Sequence, residues 1–207
     1  MLYEYIIKHY ADGEPIFLED IQINGMNRPN FRQQIKTLTD NGKIVRCEKG
    51  IYCLPQKTRF NTVIGPSPEM IARYKYISRH GKTDGYFSGN TFANLIGLSD
   101  QVPMKKEIVS NNMAAIVREI TIGRQTFIVR RTNVPISEDN AKTLQLLELL
   151  KNLDSYLDDN YDEAREKIRS YCLLNGITKA DIDKYIREYP DSTFRNYYEM
   201  RLYDVLT

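Results

Sequence analysis

The run Asn27-Arg28-Pro29-Asn30-Phe31-Arg32-Gln33-Gln34-Ile35-Lys36-Thr37-Leu38 constrains the fold more than any other stretch of this chain. Asn27 is a good N-cap, and Pro29 suits a first turn, where its missing N–H forfeits no intrahelical bond. Phe31, Ile35 and Leu38 recur at i, i+4 and i+7, so one face of a helix is buried. The opposite face then presents Arg28, Asn30, Arg32, Gln33 and Lys36. Asp40-Asn41-Gly42 stops the helix, because Asn and Gly enter the left-handed region at little cost. Lys43-Ile44-Val45-Arg46 and Gly50-Ile51-Tyr52-Cys53-Leu54 read as strands joined by a turn at Glu48-Lys49-Gly50. Upstream, Leu2, Tyr5 or Ile6, and His9 mark a short helix over 1–10, and Asp12-Gly13-Glu14-Pro15 breaks the chain. Phe17 to Ile21 reads as a second short helix. Three helices and a hairpin predict a winged helix-turn-helix over residues 1–57.

Such a module has a definite chemistry. The DNA major groove, about 12 Å wide, admits one helix, and Arg reads guanine while Asn or Gln reads adenine. Arg28, Asn30, Arg32 and Gln33 are therefore the expected base readers, with Lys36, Lys43, Arg46 and Lys49 expected on phosphates. The alternative is a solvated polar face on a module that contacts only protein. Charge is unevenly spread around a net +2: residues 28–57 hold 7 Lys/Arg against 2 Asp/Glu, 58–136 hold 11 against 5, and 137–207 hold 10 against 15. A basic front and an acidic tail suit DNA at one end and a basic protein at the other.

The remainder, 58–207, is expected to form a second, α+β domain, with a mixed α/β middle and a helical, acidic C-terminal part. Residues 58–66 read as a linker. A helix starts at Ser67 or Pro68 and runs to about His80, and the run from Tyr86 to Leu98 reads as a turn and a short helix. Lys106–Ser110, Arg118–Ile122 and Gln125–Arg131 read as strands, the last two joined at Gly123-Arg124. Leu144, Leu147, Leu150 or Lys151, and Leu153 suggest an amphipathic helix, followed by helices over Asp162–Asn175, from Thr178, and over Tyr197–Leu206. Lys105, Lys106, Arg118, Arg124, Arg130 and Arg131 make a second basic patch that could extend a DNA footprint, touch RNA or pair with the acidic tail. Arg130 and Arg131, being adjacent on a strand, face opposite sides.

No reactive constellation suggests an enzyme. G-x-x-x-x-G-K-[ST], G-x-S-x-G, H-E-x-x-H and Cys/His zinc spacings are all missing, and no Asp or Glu has Lys two residues later. His9 and His80 read as helix-end or surface residues. No metal or cofactor is expected; Asp158-Asp159 with Asp162-Glu163 reads as a solvated acidic helix start. Ser88-Gly89-Asn90, ahead of a helix, could hold an anion but reads more simply as a capping turn. Cys47, Cys53 and Cys172 fit a reducing cytoplasm; Cys47 and Cys53 flank the predicted turn and could face each other across it, but read more simply as two small residues on a half-buried hairpin. The start lacks a basic region followed by an apolar stretch, and no apolar run approaches the roughly 20 residues of a membrane span, so a cytoplasmic chain is expected.

The amino-terminal unit resembles the AbiEi-like antitoxins of type IV, abortive-infection toxin–antitoxin systems. So do the run Gly85-Tyr86-Phe87-Ser88-Gly89-Asn90-Thr91-Phe92-Ala93-Asn94-Leu95-Ile96-Gly97-Leu98-Ser99-Asp100-Gln101-Val102-Pro103 and the segment Arg118-Glu119-Ile120-Thr121-Ile122-Gly123 with Arg130-Arg131. The resemblance covers residues 1–155. It implies a repressor of its own operon, bound to double-stranded operator DNA (often an inverted repeat), with a nucleotidyltransferase-like toxin as partner.

Overall fold

The computed structural model describes residues 1–57, 63–157 and 160–204. The chain is α+β and divides into two compact units, Met1–Ile71 and Ala72–Thr207.

The first unit opens with α1 (Leu2–His9), which buries Leu2 and Ile6, followed by β1 (Ile16–Phe17) and α2 (Arg28–Asp40). β2 (Val45–Glu48) and β3 (Ile51–Cys53) complete an antiparallel sheet in the order β1-β3-β2. Leu2, Ile6, Ile16, Ile35, Leu38 and Ile44 form its core. α2 starts where its cap dictates, the Asn27 Oδ1 accepting the Asn30 N–H at 2.9 Å.

The helix expected over Phe17–Ile21 does not form. Phe17 instead pairs with Ile51 across the sheet, and the Asp20 N–H closes a turn on the Phe17 carbonyl at 3.1 Å. Phe17 and Ile21 are buried at helical spacing, yet so short a segment cannot carry the cost of helix nucleation. Pairing with β3 satisfies its backbone groups instead. The hairpin begins later than expected, at Val45, and its ladder slips between Arg46 and Glu48, leaving Cys47 at the bulge. Gly50 takes φ +78° in the turn.

β4 (Gln56–Lys57), just ahead of the stretch expected to be a linker, pairs antiparallel with β5 (Val63–Ile64) inside it; residues 58–62 lie outside the described residues. The units accordingly divide at Ile71, downstream of the expected boundary at 57. The chain passes between them in α3 (Pro68–Ala72), which continues as a π-helical turn over Arg73–Ile77. That helix ends before His80, because β6 (Ser78–Arg79) turns through His80-Gly81 to pair with β7 (Lys82–Thr83).

In the second unit β8 (Gly85–Ser88) leads into α4 (Gly89–Leu95), and β9 (Lys105–Ser110), β10 (Val117–Ile122) and β11 (Gln125–Arg131) follow. The sheet order is β10-β11-β9-β8, with β11 parallel to β9 and the other pairs antiparallel. Residues 86–88, the start of the run read from sequence as a turn and a short helix, belong instead to a fully buried strand. Tyr86 and Phe87 stand opposite Val109 and Ile108. A Cβ on Gly85 would collide with the carbonyl oxygens of Tyr76 and Val109, so only glycine fits there.

α5 (Ala141–Lys151) packs against β8 and α4, and against α7 (Lys179–Tyr185) and α8 (Asp191–Glu199). Leu144, Leu146, Leu147, Leu149 and Leu150 are therefore all buried, with Thr143 and Gln145 buried beside them, so the helix is covered on most sides and not only along the expected single stripe. α6 (Tyr161–Leu174) is capped by Asn160, and Thr178 with Asp181 forms a capping box on α7. The last helix lies at 191–199, not over Tyr197–Leu206. Pro190 precedes its first turn, and Arg201, at φ +50°, ends the helical path before a short 3-10 turn at Leu202–Asp204. Leu206 lies outside the described residues.

Candidate nucleic-acid interface

α2 presents a polar face because its apolar residues are committed to the core. Ile35 and Leu38 are buried and Phe31 is half-buried, while Arg28, Asn30, Arg32, Gln33 and Lys36 are exposed. Arg28, Arg32 and Lys36 follow one another at four-residue steps and so lie along one stripe. Among the described residues none of these three is held in an ion pair. The Asn30 Oδ1 accepts a hydrogen bond from the Gln34 amide at 3.1 Å, which restrains its side chain, whereas Gln33 is unencumbered at its amide among the described residues.

Lys43, Arg46 and Lys49 are also exposed, on or beside the hairpin. Lys43 Nζ sits 4.7 Å above the Tyr3 ring, and the Arg46 Nε donates to the Glu48 carbonyl at 3.3 Å. All eight residues singled out from sequence in this unit are thus solvent-facing, on α2 and the segment that follows it.

The second basic patch is less uniform. Lys105 pairs with Glu119 at 2.7 Å, Lys106 is half-buried, and Arg118, Arg124 and Arg131 are exposed. Arg130 is clamped between the carboxylates of Glu107 and Glu148, the latter at 3.5 Å. Tyr86 and Tyr189 stand beside it, and burial pushes the Tyr86 phenol well above its ordinary range. Arg130, Glu148 and Tyr189 line a cavity of about 210 Å³. The acidic partners Glu107 and Glu148 come from β9 and α5, and no local spacing in the sequence marks them.

The Ser88-Gly89-Asn90 corner does meet an anion, supplied by the chain itself. The Glu107 Oε1 accepts the Asn90 N–H at 3.2 Å, and Gly89, at φ +56°, leaves the room that this carboxylate fills. Asp158-Asp159 lies outside the described residues; among the described residues no three His, Cys, Asp or Glu side chains gather into a metal-binding group.

A comparison with curated proteins finds none that matches this chain. The model of a family of unknown function, DUF6088, matches residues 3–177, and the chain belongs to that family.

Proposed function

We propose that the chain is a transcriptional regulator that binds double-stranded operator DNA through its first 57 residues, represses its own operon and serves as the antitoxin to a nucleotidyltransferase-like partner. The observation that carries the DNA half is the stripe Arg28, Arg32 and Lys36 on α2, exposed, without ion-pair partners among the described residues and flanked by Asn30 and Gln33. The order helix, strand, helix, hairpin in a β1-β3-β2 sheet supports a winged module whose middle helix is reduced to the turn at Leu18–Asp20. In that module α2 reads the major groove and Arg46 and Lys49 on the hairpin grip phosphates. The antitoxin half rests on the likeness of residues 85–103 to AbiEi-like antitoxins. The acidic carboxy-terminal third supplies a surface for a basic protein partner. The protein acts by binding and not by catalysis, in the cytoplasm; no described helix is long and apolar enough to cross a membrane.

The test is fluorescence anisotropy with the chain's own upstream DNA against a scrambled duplex over a range of salt. Specific binding that falls steeply with salt is the expected result. Equal weak binding to both duplexes, or none, overturns the repressor reading in favour of a module that binds only protein.

A further inference from the structure

Two of the three cysteines meet at the base of the hairpin. Cys47 occupies the bulge of β2, half-buried, and Cys53 ends β3, fully buried. Both thiols border Gly65: a Cβ there would lie 3.6 Å from the Cys47 Sγ and 3.6 Å from the Cys53 Sγ. A larger residue at 65 would pack on both sulfurs; with glycine there, the half-buried Cys47 is the side of the pair that solvent can reach. The two thiols act on each other, which raises Cys47 and holds Cys53 below the ordinary thiol value, so the pair gives up one proton readily and the second with difficulty. Cys172 differs: it is fully buried, and burial pushes its thiol to about 12.

We propose that Cys47 and Cys53 are a modification site, a thiol pair that hydroperoxides oxidise to a disulfide across the hairpin. The pair's thiolate attacks a peroxide oxygen, the O–O bond breaks and a sulfenic acid forms with release of an alcohol, or of water where the oxidant is hydrogen peroxide. The second sulfur then displaces the hydroxyl, which leaves as water. Two S–H bonds and one O–O bond are lost, one S–S bond and two O–H bonds are made, and two electrons pass from sulfur to peroxide. The bulge puts Cys47 directly between Arg46 and Glu48, so closing the bond draws the bulge toward β3 and shifts Arg46. Resting on the DNA-binding reading, this makes the hairpin's phosphate grip sensitive to oxidant.

The full chain, treated with hydrogen peroxide and then freed of it, is analysed by mass spectrometry and by anisotropy on its upstream duplex. The expected product has lost two hydrogens, yields a peptide pair linking 47 to 53, and binds DNA more weakly with a salt slope reduced by about one. A thiol reductant restores both, and Cys47→Ser binds like the reduced protein before and after peroxide. Free thiols after treatment, or bonds to Cys172 or to a second chain, overturn the site. A 47–53 disulfide with unchanged DNA binding overturns its effect on the hairpin. Reduced protein that binds no DNA overturns the repressor reading instead, and the mass measurement still decides the thiol pair.

Discussion

The Glu107 carboxylate caps the first turn of α4, accepting the Asn90 N–H at 3.2 Å while also taking the Arg130 guanidinium. An anion at a helix N-terminus is favourable, and here one strand of the sheet delivers it to the helix that follows its neighbour. The corner that reads from sequence as a capping turn, with an external anion as the alternative, is therefore closed from within.

Glu107→Gln keeps an acceptor but removes the charge, leaving Arg130 with Glu148 alone. A loss of about 1–3 kcal/mol is expected, seen as a lower urea midpoint at unchanged slope. An unaltered midpoint would show that the clamp contributes nothing.

Gly89→Ala places a methyl group on the Glu107 carboxylate at a residue with φ +56°, so overlap and left-handed strain act together. Gly50→Ala carries only the second, because nothing lies within 4 Å of its Cβ position at φ +78°. Thermal melts should rank Gly89→Ala clearly below Gly50→Ala, whose own cost is about 1–2 kcal/mol. Equal melting temperatures contradict the close approach.

On DNA, Arg32→Ala should weaken operator binding by about 1–3 kcal/mol and relax specificity, whereas Lys49→Ala should weaken all duplexes alike and lower the salt slope by about one. Arg130→Ala should leave the salt slope alone, since its guanidinium is held by Glu107 and Glu148. A salt slope that moves with Arg130 and not with Lys49 would relocate the interface to the second unit.

Gln145 is buried between two elements: its Nε2 donates to the Phe87 carbonyl at 2.7 Å and its Oε1 accepts from the Tyr171 hydroxyl at 2.8 Å. Tyr171→Phe strands a buried acceptor, and a cost of about 1–3 kcal/mol is expected by chemical denaturation. A neutral substitution would mean that water reaches Gln145.

Stability should respond to acid. Burial works against the Asp84 charge, but hydrogen bonds from Lys82, Asn111 and Asn112 outweigh it and leave the carboxyl below its ordinary value. Hydrogen bonds from the Thr178 side chain and backbone lower Asp181 in the same direction. A depressed carboxyl stabilises the fold above its unfolded pKa and ceases to as pH falls through the folded one. Denaturation midpoints should be level from about pH 5 to 7 and fall below about pH 4, less steeply in Asp84→Asn. A parallel fall in that variant would exclude Asp84 as a source.

What could be read from the sequence follows a physical line. α2 was legible because cap, proline and apolar period agree within one segment, and the β10–β11 hairpin because its turn and alternation are local. Residues 17–21 and 85–88 were not, since each takes its structure from a distant strand: Phe17 from Ile51, Tyr86 from Val109. The exposed face of α2 was visible in its spacing. The clamp on Arg130 was not, because Glu107 and Glu148 are brought to it only by the closed sheet and the helix packed on it.

The parallel pairing of β11 with β9 also sets a timetable. β10 and β11 meet through a two-residue turn and can zip together within microseconds. β9 needs the inner edge of that ribbon to receive Lys105–Ser110, and β8 is tied to the sheet only through β9. A nascent second unit therefore carries an unsealed seam on the inner side of β11 for as long as β9 is late, and it is during that interval that a neighbouring chain would find an edge to borrow.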